Sequence, residues 1–108
     1  MAKTSNNEDV QDAICIAEPS ATYRITPTVS TDPFASKTNK YAESKIVEIT
    51  SLDKGCRVKF SSNGAAATQA DYTIPANQTR KFVVDQDAAY LRILERASAA
   101  IVYVTEIY

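Results

Sequence analysis

Thr79 to Tyr108 reads TRKFVVDQDAAYLRILERASAAIVYVTEIY, and this stretch decides the fold class. It holds three runs of strand-forming residues, Lys81–Val84, Tyr90–Leu94 and Ala100–Ile107. Two short polar breaks, Asp85-Gln86-Asp87 and Glu95-Arg96-Ala97-Ser98, separate them. β-branched and aromatic residues suit a pleated, half-buried surface, and the final run, with Val102, Tyr103, Val104, Thr105 and Ile107, is the strongest strand signal in the chain. Short breaks between consecutive strands predict an antiparallel meander. In the final run Ile101, Tyr103 and Ile107 share one face and Ala100, Val102 and Val104 the other. Neither face suits water, so the strand is expected to be covered on both sides, one by the core with Phe82, Val84, Leu91 and Ile93. The residues specify a small β domain and do not by themselves state what it does.

Upstream the pattern continues. Lys45 to Ser51 reads as a strand, Leu52-Asp53-Lys54-Gly55 as a tight turn closed by Gly55 with positive φ, and Cys56 to Phe60 as its return. Cys56, Val58 and Phe60 alternate with Arg57 and Lys59, the mark of a half-buried strand. Ser61-Ser62-Asn63-Gly64 supplies a second turn, Asp71 to Ile74 another strand, and Pro75-Ala76-Asn77-Gln78 the next reversal. Six strands turning about every ten residues predict an all-β fold, a small antiparallel β-sandwich or open barrel.

Residues 1–45 differ in character and are expected to form an extended N-terminal arm, partly strand, outside a compact domain at 46–108. Residues 1–12 offer nothing to pack, with Glu8, Asp9 and Asp12 beside two asparagines. Val10 to Ala17 suits either a short buried strand or two helical turns, and Pro19 closes either. Ala21 to Thr26 alternates as a strand. From Thr28 to Ser44 the chain is rich in Ser, Thr, Asp, Asn, Lys and Pro, with Phe34 and Tyr41 as its large apolar side chains. A segment of that length without a period is a binding or extended segment more often than a connection. Phe34 and Tyr41 then anchor it, on its own domain or on a neighbouring subunit; the alternative is a surface loop with these two side chains tucked under it. Lys37, Lys40, Lys45, Lys54, Arg57 and Lys59, interleaved with Glu43, Glu48 and Asp53, read as a solvated face.

Composition narrows the chemistry. Twelve basic against thirteen acidic residues leave no field to draw nucleic acid or an anionic membrane, and neither is an expected partner. No apolar run approaches the ~20 residues of a membrane helix, and residues 1–9 lack the apolar core of a signal peptide, so synthesis in a cytosol is expected. Histidine is absent, which removes imidazole-dependent triads and most zinc sites. No catalytic, cofactor or metal residues are assigned. Cys15 and Cys56 are expected as reduced thiols, Cys56 as a small buried hydrophobe.

The order of these elements, with "DYTIPANQTRKFVV", "YLRIL" and a terminal "AAIVYVTEIY", resembles small structural proteins of tailed-bacteriophage virions. Those proteins often carry an "lPAg…f.v" turn and end in a "v.VTe" strand. The resemblance covers residues 46–108, and its matching positions are Ile74, Pro75, Ala76, Asn77, Phe82, Val84, Val102, Thr105 and Glu106. Asn77 stands where the family commonly has glycine, and asparagine tolerates the same left-handed backbone. What the resemblance implies is a virion component without catalytic chemistry, a decoration or cement protein on the capsid surface. Its partner would be the major capsid protein and its own state a homotrimer. Similar sandwiches occur at the portal neck or on the tail. A host-surface or glycan-binding module, using Tyr23, Tyr41, Tyr72, Tyr90 and Tyr103 as stacking surfaces, is the alternative. Phe34, Tyr41, Tyr103 and Tyr108 are the candidate interaction residues.

Overall fold

A computed structural model describes residues 19–107; Tyr108, Cys15 and the remainder of residues 1–18 lie outside the described residues. Seven strands form two antiparallel sheets: β1 (Pro19–Ile25), β2 (Ile46–Leu52), β3 (Cys56–Ser61), β4 (Tyr72–Ile74), β5 (Gln78–Val83), β6 (Tyr90–Glu95) and β7 (Ile101–Ile107). One sheet has the order β1-β7-β2-β5 and the other β4-β3-β6, and neither closes on itself. The fold is therefore an all-β sandwich. Its strands fall where alternation placed them, because each puts every second side chain into the space between the sheets; β2 alternates half-buried and buried along its whole length.

Strand pairing departs from the meander. β5, β6 and β7 do not pair with one another: β5 lies on β2, β6 on β3, and β7 between β1 and β2. From β4 onward each successive strand crosses to the opposite sheet. β2–β3 and β4–β5 form one folded ribbon, β2 against β5 in the first sheet and β3 against β4 in the second. β6–β7 lies along the other side of the β2–β3 segment.

Three of the four crossings between the sheets share a construction, the β5–β6 connection being the exception. Each contains a non-glycine residue in the left-handed region: Asp53 (φ 68°) between β2 and β3, Asn77 (φ 60°) between β4 and β5, and Ala99 (φ 64°) between β6 and β7. The first two lock together, since the Asn77 Oδ1 accepts from the Asp53 N–H at 3.0 Å and the Asn77 N–H donates to the Ser51 carbonyl at 2.7 Å. Gly55 is thus not the positive-φ residue of its turn. It is small because the neighbouring corner is close: a Cβ there would lie 2.7 Å from the Ile74 carbonyl oxygen. Its own carbonyl accepts from the Arg96 N–H at 2.9 Å, which ties the β6–β7 crossing to the β2–β3 crossing. Gly64 (φ 76°) does close its turn as the sequence predicts, with the Ser61 hydroxyl accepting from the Gly64 and Ala65 N–H groups.

The core contains Val47 and Ile49 of β2, Cys56 and Val58 of β3, Ile74, Leu91 and Ile93, and Val102 and Val104 of β7. It also contains Phe34 and Ala42, with Tyr23, Ile25 and Tyr41 packed against it. Residues 19–45, expected outside the compact domain, are consequently part of it. β1 extends the first sheet as the partner of β7, and the segment after it is laid along the edge of the second. Thr31 exchanges two backbone hydrogen bonds of 2.8 Å with Ile93, and the Pro27 carbonyl accepts from the Glu95 N–H at 2.8 Å. Ala42 donates to Ala89 at 2.9 Å further along. The boundary at residue 45 fails because Phe34 finds its apolar pocket within its own sandwich.

Candidate interaction surface

Glu106, given no structural role by the sequence, is the centre of the best-defined polar cluster among the described residues. Strand alternation puts it on the same face as Val102 and Val104, so its carboxylate enters the space between the sheets and is 1% exposed. Burying a carboxylate is costly unless a cation and hydrogen bonds replace its water. Here the Lys37 Nζ donates to Oε2 at 2.9 Å, and the Tyr23 hydroxyl approaches the same oxygen at 3.5 Å. Oε1 accepts from the Glu43 N–H at 3.0 Å and from the Ser44 hydroxyl at 3.4 Å. Four donors from β1 and from the 26–45 segment thus converge on one side chain of β7.

Lys37 is correspondingly withdrawn from solvent, with a side chain 13% exposed, rather than on the solvated face expected of it. Its ammonium lies 3.2 Å from the Glu43 carboxylate, donates to the Tyr41 carbonyl at 3.1 Å and stands 4.8 Å from the centre of the Phe34 ring. Burial works to lower its pKa, but the hydrogen bonds and charges of Glu106 and Glu43 outweigh it and hold the pKa above the ordinary 10.5. The cluster fastens the segment onto the sandwich. Asp32 shapes the approach, its Oδ1 accepting from the Phe34 N–H at 2.8 Å and turning that ring inward.

Phe34 is accordingly a core residue with 0% exposure, edge-on to Tyr23 at 5.4 Å. Tyr41 is half-buried and edge-on to Tyr90 at 5.7 Å. Tyr103 is half-buried on the outer face of the four-stranded sheet, in register with Arg24 on one side and Thr50 on the other. Tyr108 lies outside the described residues. These positions do not form one site. Phe34 and Tyr41 anchor the segment to its own domain, the option that required no neighbour, and Tyr103 belongs to a different surface.

That surface is the outer face around β7 and β2. Ile101, Tyr103 and Thr105 alternate with the buried positions of β7, and Ile46, Glu48, Thr50 and Leu52 with those of β2. Threonines bridge the strands in pairs: the Thr22 and Thr105 hydroxyls lie 3.0 Å apart, and those of Thr50 and Thr79 2.7 Å apart. The face combines apolar side chains, paired hydroxyls and the charged residues Arg24, Glu48 and Lys81, with Tyr103 at its middle.

A second exposed region lies where β5 and β4 border the two sheets. Phe82 of β5 packs against Phe60 at 5.4 Å and against Tyr72 of β4 at 5.7 Å. Tyr72 remains 54% exposed and Val83, on the other face of β5, 86%. Nothing in the sequence marked Val83 as exposed, since Phe82-Val83-Val84 reads as continuous core. Alternation turns Val83 outward, because Phe82 before it faces the core opposite Val47 and Val83 lies opposite Ile46 on the outer face.

Cys56 is free and buried, and burial pushes its thiol pKa upward against a hydrogen bond from Ser51. Among the described residues no cluster of acidic or thiol side chains is arranged to hold a metal ion, and no helix is long and apolar enough to cross a membrane.

The chain matches no protein-family model and no curated protein. Among solved structures it is similar to a de novo designed double-stranded β-helix determined by solution NMR, at 11% identity and a TM-score of 0.46. That match covers 82% of this chain and 96% of the designed one.

Proposed function

We propose that the protein is a non-enzymatic structural component of a tailed-phage virion, a decoration or cement protein that binds the major capsid protein at the particle surface and does so as a homotrimer. The observation that carries this reading is the apolar surface left on a rigid sandwich. Tyr103 with Ile101, Ile46, Leu52 and Val83 on one face, and Tyr72 at the edge of the other sheet, suit contact with protein over a broad area better than enclosure of a small ligand. The resemblance in residues 46–108 supports it further. Its Ile74-Pro75-Ala76-Asn77 motif forms a sheet-crossing corner, with Asn77 at φ 60°, a conformation suited to the glycine common there in the family.

The glycan-binding alternative finds less support. Of its five tyrosines, Tyr23, Tyr41, Tyr90 and Tyr103 are half-buried, and the first three stack edge-on within the protein or against the core. Tyr72 is the member that is exposed, and one ring does not make a sugar platform. The test is particle stability. Virions lacking this protein should lose their genome at a lower temperature, and adding the purified chain should restore the loss point. Particles that bind no added protein and melt unchanged would refute the proposal.

A further inference from the structure

The turn between β3 and β4 carries Asn63-Gly64, a dipeptide to which the proposed function gives no task. A glycine after asparagine leaves its peptide nitrogen unhindered beside the side-chain amide, and attack by that nitrogen on the amide carbon closes a five-membered imide. Here the space is open: a Cβ on Gly64 would meet the Tyr90 ring, at 3.8 Å, as its nearest neighbour from elsewhere in the chain. Asn63 is exposed, so water reaches it. Its Oδ1 accepts from the Ala65 N–H at 3.1 Å, which folds the side chain along the backbone and sets a donor on the oxygen where charge develops during attack. The Ser61 hydroxyl works the other way. It accepts from the Gly64 N–H at 3.0 Å, holding the proton that the nucleophile must lose, and takes a share of the Ala65 N–H at 3.1 Å.

We propose that Asn63 is a site of spontaneous covalent modification, cyclising onto Gly64, with the Ser61 hydroxyl as the brake on its rate. Water and hydroxide from the solvent are the sole co-reactants. The Gly64 nitrogen gives up its proton to hydroxide and attacks Cγ of Asn63; the Cγ–Nδ2 bond breaks, and Nδ2 takes a proton from water and leaves as ammonia. Water then opens the succinimide. Breaking the new Cγ–N bond leaves aspartate, and breaking the original peptide C–N bond leaves isoaspartate, whose main chain runs through Cβ and Cγ. The net change consumes one water, releases one ammonia and adds one negative charge.

The modification reaches the fold because the turn is clipped to it. The Gly64 carbonyl accepts from the Arg92 Nη1 at 3.2 Å, while the Arg92 Nη2 donates to the Ser30 carbonyl and the Ala67 N–H to the Ser30 hydroxyl, each at 2.8 Å. Isoaspartate lengthens the main chain by one methylene just before Gly64 and shifts that carbonyl off Arg92, whose Nε is already buried without a partner. The contact that joins this loop to β6 and to the segment after β1 is then lost. Asn39 and Asn77 are followed by Lys40 and Gln78, whose side chains crowd the corresponding nitrogen, and the Asn77 Oδ1 is held by the Asp53 N–H, so among the described residues the reaction selects Asn63. The inference does not depend on a virion role.

Full-length parent, Ser61→Ala and Ser61→Thr, incubated in mildly alkaline buffer both folded and in denaturing urea, test it. Conversion of Asn63 is followed by ammonia release and by peptide mapping for isoaspartate. Denatured, the three chains should convert at one rate. Folded, the parent and Ser61→Thr should be slower than the denatured chain, and Ser61→Ala faster than the parent by about two- to tenfold, the factor that one hydrogen bond sets on local opening. Amide exchange at Gly64 should quicken in Ser61→Ala, while exchange at Val104, buried in β7, should match the parent. Conversion of the folded parent at the denatured rate, equal folded rates for the parent and Ser61→Ala, or quickened exchange at Val104 would each overturn the brake. No conversion at Asn63 in folded Ser61→Ala would overturn the site itself.

Discussion

Replacing Lys37 with methionine isolates the ion pair that fastens residues 26–45 to the sandwich. The substitution keeps the aliphatic stem over Phe34 and removes the ammonium. Glu106, 1% exposed, then retains the Glu43 N–H and the Ser44 and Tyr23 hydroxyls but has lost its nearest cation, 2.9 Å away. Breaking a buried pair from one side costs roughly 3–5 kcal/mol. The remaining donors, and the 13% exposure of Lys37, put this case near the lower end, about 3 kcal/mol. A domain of this size has about 5–15 kcal/mol in total, so the loss should lower a urea midpoint by about 2 M with unchanged slope. The double variant Lys37→Met/Glu106→Leu removes both charges and should recover to within about 1–2 kcal/mol of the parent. A Lys37→Met variant within about 1 kcal/mol of the parent would show that water reaches Glu106, and would refute the account of how this segment is held.

Three further outcomes follow from the same geometry. The Lys37 pKa is raised above 10.5, so its stabilisation is complete below that pH and is lost as pH rises through the higher folded value; the stability gap between parent and Lys37→Met, measured by denaturation in alkaline buffers, should shrink there. Gly55→Ala drives a methyl to 2.7 Å from the Ile74 carbonyl oxygen and should cost about 1–3 kcal/mol in urea unfolding, whereas Ala99→Gly, at φ 64°, should raise stability by about 0.5–1 kcal/mol. Phe34→Ala should cost about 3–5 kcal/mol and Tyr103→Ala on the order of 1 kcal/mol in the isolated protein, because the first ring is fully buried and the second half-exposed; calorimetric melting of the two variants should separate them clearly.

Strand positions were legible in the sequence because alternation and turn residues are local properties. Cys56, Val58 and Phe60 announce one face of β3, and Gly64 its end. Which strand pairs with which is not local. The breaks after β5 and β6 look like hairpin turns, yet each carries the chain to the opposite sheet, and only the packing of both sheets selects that path. Gly55 was misread for a related reason: its smallness answers to Ile74, on a strand distant in sequence. Glu106 could have been found. It shares the parity of Val102 and Val104, and an acid on a buried face requires a cation and donors nearby. Lys37 as that cation could not, because the loop bringing it there has no period. The interaction residues divided similarly, since an aromatic in a polar loop reads alike whether it docks on its own core, as Phe34 does, or on a neighbour.

The composition of purified particles tests the central proposal most directly. Quantitative mass spectrometry of gradient-purified virions, with this chain counted against the major capsid protein, should give a fixed ratio amounting to hundreds of copies per particle. A handful of copies would move the protein to the neck or tail, and its absence from particles that infect and assemble normally would contradict a virion role altogether.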